Sequence, residues 1–202
     1  KTRWQNCSKC QALIKREGLK DEHELQSYFI SQIEKHINSK GKKIIGWDEI
    51  LEGGLSPNAM VMSWRGTKGG IEAAKQNHDV VMSPNSYFYL DYYQADPKTE
   101  PIAIGGNLPL SKCYSFEPNL PELTAEEAKH VVGIQANVWT EYISNIGYAE
   151  YMTYPRALAL SEVAWSAKES KNYADFKKRL TGHLPSMDAM KINYSKAFLT
   201  QP

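Results

Sequence analysis

Apolar residues follow two patterns along the chain, and each predicts a different element. At helical spacing, Leu25, Phe29, Ile30, Ile33 and Ile37 mark an amphipathic helix over Asp21–Ser39. Asp21 is placed to cap it, Glu22 and Glu24 suit the positive end of its dipole, and Gly41 ends it. A short helix, Gln11–Glu17, closed by Gly18, precedes it. Later come a long helix over Tyr148–Trp165, kinked at Pro155, and a last one over Asn172–Met187 with Phe176, Leu180 and Leu184 on one side. The second pattern is the short unbroken apolar run. Lys43–Trp47, Ala59–Trp64, Asp79–Met82 and Val131–Trp139 read as strands buried on both faces, the kind found in parallel sheets.

No two predicted strands are joined by a hairpin turn. A short helix, Ile71–Gln76, follows the second strand, and Thr124-Ala125-Glu126-Glu127 has the form of a capping box opening another. Gly66-Thr67-Lys68-Gly69-Gly70 lacks the phosphate-loop pattern and reads as a tight strand-to-helix loop. Residues 95–123 carry several prolines and glycines and read as a long loop, of the kind that serves function. Strands alternating with helices mean an α/β protein with a parallel sheet. A complete TIM-type (β/α)₈ barrel needs about 250 residues, so four strands here look like the C-terminal half of one.

Composition excludes more than it suggests. With 24 Lys+Arg against 23 Asp+Glu the net charge is +1, which provides no field for nucleic acid or anionic membrane. No apolar run approaches the roughly 20 residues that span a bilayer, and Lys1-Thr2-Arg3-Trp4 does not open a signal peptide. Cys7-Ser8-Lys9-Cys10 has zinc-knuckle spacing but no second pair, and His23 and His36 stand alone, so no metal or cofactor is expected. A local disulfide or two free thiols fits that spacing. The unusual feature is 12 Tyr and 5 Trp, residues whose flat apolar faces and polar edges suit amphipathic ligands.

Those aromatics fall at the predicted C-terminal ends of strands, where barrel enzymes place their chemistry. The run Ile44–Gly66 contains two strands, each ending in a tryptophan followed by charge: Trp47 with Asp48-Glu49, and Trp64 with Arg65. Tyr89, Asp91, Trp139 and Glu141 join them from the later strands. Indole faces stack on the C–H faces of a pyranose and carboxylates accept from its hydroxyls, so this set reads as a sugar pocket. Glycoside hydrolysis usually needs two carboxylates about 5 to 10 Å apart. Asp48 and Glu49, as neighbours on a strand, would point to opposite faces; Glu49 and Glu141 could form such a pair.

The strings GWDEI at 46–50, SWRG at 63–66, YLD at 89–91 and NVWTE at 137–141 resemble, in order, the family 20 glycoside hydrolases, the β-N-acetylhexosaminidases. The closing FKKRL…HLPSMDAMKINY is also similar to the end of that family's barrel. The resemblance implies that residues 1–202 are the C-terminal half of a glycoside hydrolase catalytic barrel, acting on terminal N-acetylhexosamine residues of glycans. It implies substrate-assisted catalysis, in which the 2-acetamido oxygen attacks the anomeric carbon and an Asp-Glu pair orients the acetamide and protonates the leaving oxygen. Tyr89 would then hydrogen-bond the acetamide oxygen, Trp47, Trp64 and Trp139 would wall the pocket, and Asp91 and Glu141 would hold hydroxyls. The Asp-Glu acid pair would precede Lys1, so the chain alone is expected to be inactive and, with open sheet edges, to self-associate. An exported location follows from the family alone. Two alternatives remain: a lectin-like module that binds without cleaving, and a barrel glycosidase using Glu49 and Glu141.

Overall fold

The computed structural model describes residues 1–201. In chain order it carries helices α1 (Thr2–Gln5), α2 (Ser8–Arg16) and α3 (Glu22–Asn38), strand β1 (Ile45–Trp47), a 3₁₀ turn over Asp48–Leu51, β2 (Met60–Ser63), α4 (Lys68–Lys75) and β3 (Val80–Met82). Then follow α5 (Asn85–Phe88), α6 (Leu110–Tyr114), α7 (Ala125–Ala128), β4 (Val131–Ile134), α8 (Ile146–Thr153), α9 (Arg156–Trp165) and α10 (Tyr173–Ala189). The strands form one sheet in the order β1-β2-β3-β4. The first two pairings are parallel, with Trp47 opposite Met62 and Met62 opposite Val81. Neighbouring parallel strands in chain order, joined through helices, are the architecture of part of a (β/α) barrel. The chain divides into two compact units, one of Lys1–Met82 with Pro121–Val132, the other of Ser83–Leu120 with the chain from Gly133 onward.

In the first unit, α2 begins three residues earlier than expected because Cys7 caps it, its sulfur accepting from Cys10 N at 3.4 Å. Cys7 and Cys10 are both free thiols. Asp21 caps α3 by accepting from the amides of His23 and Glu24 at 2.8 and 3.1 Å. The helix lies where its periodicity predicts, but its buried residues differ. Leu25 and Glu34 are buried, whereas Phe29 and Ile33 are 58% and 43% exposed. Periodicity tells which residues share a face and not what that face packs against. Helix α4 starts at Lys68, so Gly69 and Gly70 lie in its first turn and not in a loop. A Cβ on Gly70 would collide with the Met82 sulfur, and one on Gly69 would lie 2.8 Å from Asp48 Cβ. Glycine here lets the helix sit directly on the strand ends, where Ser63 Oγ accepts from Gly70 N at 2.9 Å.

The second unit departs further from expectation. The segment over Tyr148–Trp165 is two helices and not one kinked helix. Proline has no amide hydrogen to continue the ladder, so α8 ends at Thr153 and α9 begins after Pro155. The expected loop 95–123 contains α6, whose Leu110, Cys113 and Tyr114 are buried. Five residues are too few to display a period. On α10, Phe176 and Leu180 are buried as expected and Tyr114 stacks on Phe176 with centroids 4.8 Å apart. Strand β4 stops at Ile134, well short of the predicted Trp139.

At the centre of this unit lies Arg156, with no solvent exposure. Its guanidinium donates to the carbonyls of Leu90, Tyr92, Leu108 and Met152. Burial brings its pKa down to about 10, so it stays charged near neutrality, with the Cys113, Glu100 and Asp91 side chains opposing the shift. Removing the side chain strands several buried carbonyls at a cost of about 1–3 kcal/mol each. Arg156→Met should therefore lose roughly 3–5 kcal/mol in urea unfolding. A loss below about 0.5 kcal/mol, the size of an ordinary surface change, would mean that water replaces the guanidinium.

Candidate active site

The site residues of the first unit grow out of the end of β1. Trp47 is its last residue and is half-buried. Asp48 and Glu49 open the 3₁₀ turn that follows, so the strand alternation expected of them does not apply. Both point their carboxylates at the end of β2. Asp48, 2% exposed, accepts from the amides of Trp64 and Arg65 at 2.9 and 3.0 Å and pairs with Arg65 Nε. Glu49 Oε2 accepts the indole N–H of Trp64 at 2.9 Å. The carboxylate proposed as half of an acid pair is thus engaged in holding a tryptophan.

Arg65 continues outward, donating through Nη1 to Glu52 at 2.9 Å, and Lys1 reaches the same carboxylate at 2.7 Å. These two cations draw the Glu52 pKa down to about 2. An open cleft of about 340 Å³ lies here, lined by Asp48, Leu51, Glu52, Arg65, Lys68, Gly69 and Glu72. Charges of both signs face it, Arg65 already pairs with Asp48 and Glu52, and neither Trp47 nor Trp64 lines it.

In the second unit the site is held by main-chain pairing. Tyr89 follows α5, and Asn137, three residues beyond β4, forms a parallel bridge with it. Asn137 N donates to Phe88 O, and Leu90 N to Asn137 O, both at 2.8 Å. The Asn137 side chain, itself buried, donates to Ser83 Oγ at 2.6 Å and accepts from Gln135 at 3.0 Å. In the sequence Asn137 stands only as the first letter of a motif; its polar side chain within the mainly apolar run Val131–Trp139, which also holds Gln135, was the available signal.

This bridge brings Tyr89 and Trp139 together, with ring centroids 6.3 Å apart and planes tilted by 59°. Tyr89 is 9% exposed and Trp139 40%, so a buried phenol stands beside an accessible indole. Trp139 and Glu141 lie in the loop after β4 and not on the strand, because the ladder ends at Ile134. Asp91 is 5% exposed, and its Oδ1 makes no hydrogen bond. Burial raises its pKa, the nearby Glu141 charge adds to that, and Arg156 opposes it. Burying a carboxylate oxygen without a donor costs free energy. Glu141 is exposed. Among the described residues no group of three or more His, Cys, Asp or Glu could hold a metal ion, and no helix is long and apolar enough to cross a membrane.

Residues 1–168 match the profile of Glycosyl hydrolase family 20, catalytic domain. The chain belongs to that family. A beta-hexosaminidase of Porphyromonas gingivalis is 51% identical over 203 residues, covering 100% of this chain and 26% of that protein. A beta-hexosaminidase of Vibrio furnissii is 36% identical over 78% of this chain and 26% of its own length. Among solved structures, the GH20 exo beta-N-acetylglucosaminidase of Vibrio harveyi in complex with N-acetylglucosamine superposes with a TM-score of 0.85 at 35% identity, over 96% of this chain and 31% of that one. The chain therefore spans about a quarter of the length of these two relatives.

The raised pKa of Asp91 has a measurable consequence. The fold holds its proton more tightly than the unfolded chain does, so the ionised form costs stability above the usual carboxylate range. Below that range both states are protonated and the cost is absent. Asp91→Asn should therefore melt higher than the parent at pH 7 and equal to it near pH 3. A lower melting temperature at pH 7 would mean that Asp91 is stabilised by partners in the fold.

Proposed function

We propose that this chain forms the C-terminal half of the catalytic barrel of a β-N-acetylhexosaminidase, which hydrolyses terminal N-acetylhexosamine residues of glycans. The observation that carries the reading is the Tyr89–Trp139 pair beside Asp91, whose buried Oδ1 lacks a hydrogen-bond partner, in a chain of family 20. Tyr89 donates its hydroxyl to the 2-acetamido oxygen. Trp139 offers its indole face to the sugar ring, as do Trp47 and Trp64. Asp91 and Glu141 accept from sugar hydroxyls.

In this mechanism the acetamido oxygen attacks the anomeric carbon and forms an oxazolinium, which water then opens with retention. The oxygen gains positive character as it attacks, and Tyr89 fixes its direction of approach. The group that protonates the leaving oxygen comes from an Asp-Glu pair outside these 202 residues, and an exported location belongs to the same proposal. Proton donation contributes about 10² to 10⁴ in rate. The purified chain should accordingly turn over an aryl N-acetylglucosaminide barely above background. Turnover matching that of a complete homologue would remove the assigned roles.

In the enzyme containing this chain, Tyr89→Phe should lower kcat more than it raises KM, because the lost bond aligns the attacking oxygen with the anomeric carbon. Glu141→Gln should act mainly on KM, since it holds a hydroxyl away from the reacting centre. A change in KM alone for Tyr89→Phe would refute the acetamide role. Binding of N-acetylglucosamine without any turnover in that enzyme would favour a lectin-like module.

We also propose that the isolated chain self-associates, because β1 and β4 are the outer strands of its sheet. Sedimentation at micromolar concentration should show a dimer; a single monomeric species would refute it.

A further inference from the structure

Trp64 is gripped at two points by neighbouring carboxylates of one turn. Its amide donates to Asp48 Oδ2 at 2.9 Å, and its indole Nε1–H donates to Glu49 Oε2, also at 2.9 Å. A tryptophan side chain has only two torsions between backbone and ring. Anchoring its amide at one end and its indole nitrogen at the other therefore sets the plane of the ring. Asp48 is the firm half of this grip. It is 2% exposed, pairs with Arg65, and lies under the first turn of α4, where Gly69 has no side chain. Glu49 is the half that acts on the ring itself.

From this we infer that Glu49 is a positioning residue for Trp64, fixing the indole plane on which the sugar stacks. The inference rests on the reading of Trp64 as a wall of the sugar pocket. Two physical effects follow from the bond. Stacking on a pyranose depends on the offset and tilt of the indole, so a ring free to rotate loses contact area and must be ordered on binding. A carboxylate at the indole N–H also pushes electron density onto the ring face, which strengthens its attraction for the electropositive C–H groups of the sugar. Glu49 thereby acts through Trp64, and it is not a general acid or base.

The test is a double-mutant cycle on the Kd for N-acetylglucosamine, in the enzyme that contains this chain. Glu49→Leu should weaken binding about tenfold, the scale of one charge-assisted hydrogen bond. It should also shift the ¹⁵N resonance of the Trp64 indole, identified by its loss in Trp64→Phe. Glu49→Gln keeps an acceptor oxygen of the same reach and should stay within about threefold of the parent. In the Trp64→Phe background Glu49→Leu should have no further effect, because the bond it removes is already gone.

Additive losses in the cycle, or a shifted indole resonance with unchanged affinity, would overturn the positioning role. Should Glu49→Leu fail to fold, Trp64→Phe reads the same bond from the other side, keeping an aromatic face without the N–H. Equal affinity in that variant overturns the inference. Failure of the pocket reading looks different: Trp64→Ala would then leave sugar affinity unchanged, whereas failure of the positioning role alone leaves Trp64→Ala weak and Glu49→Leu neutral.

Discussion

A guanidinium that is fully buried must find its acceptors within the protein, and Arg156 finds four of them in backbone carbonyls. Two belong to Leu90 and Tyr92, which flank Asp91. The others belong to Leu108 and to Met152 near the end of α8. One side chain thus ties the loop that carries Tyr89 and Asp91 to a helix sixty residues further along. Irregular backbone inside a protein needs hydrogen-bond donors that no sheet or helix supplies. Arg156 supplies them from a rigid fork, and the charge also tempers the cost of burying Asp91.

The two units position their aromatic residues by different means. In the first, acidic side chains grip Trp64: Asp48 by the amide and Glu49 by the indole. In the second, main-chain pairing between Tyr89 and Asn137 sets the approach of Tyr89 to Trp139. Both solutions hold an aromatic residue just outside the regular sheet. Carboxylates and buried amides at such places read as catalytic from a distance, and here several of them serve as anchors. Asp91 is the exception, since its Oδ1 remains without a partner.

That exception bears on stability and function together. Keeping a carboxylate oxygen dry and unpaired costs the fold free energy, and a better-bonded residue there would be more stable. On the proposed role of Asp91, the acceptor is desolvated before any sugar hydroxyl arrives. Glu141, exposed on the loop after β4, carries no such cost.

The sequence by itself determined the alternation of strand and helix, the cap at Asp21, the capping box at Thr124 and the chemical character of Trp47, Trp64, Tyr89, Asp91, Trp139 and Glu141. These are local properties: hydrophobic period, side-chain hydrogen bonding over three residues, and the residue types themselves. Tertiary structure decided the rest. It ended β4 at Ile134 and set Asn137 beyond it in a separate bridge to Tyr89. It turned Phe29 and Ile33 outward and buried Glu34. It also gave Glu49 to an indole and Arg156 to four carbonyls. Apart from the break at Pro155, which is local, and the Arg156 bond to Met152, the deciding partners lie at a distance in sequence, and no local pattern records which distant atom will satisfy a donor or fill a face.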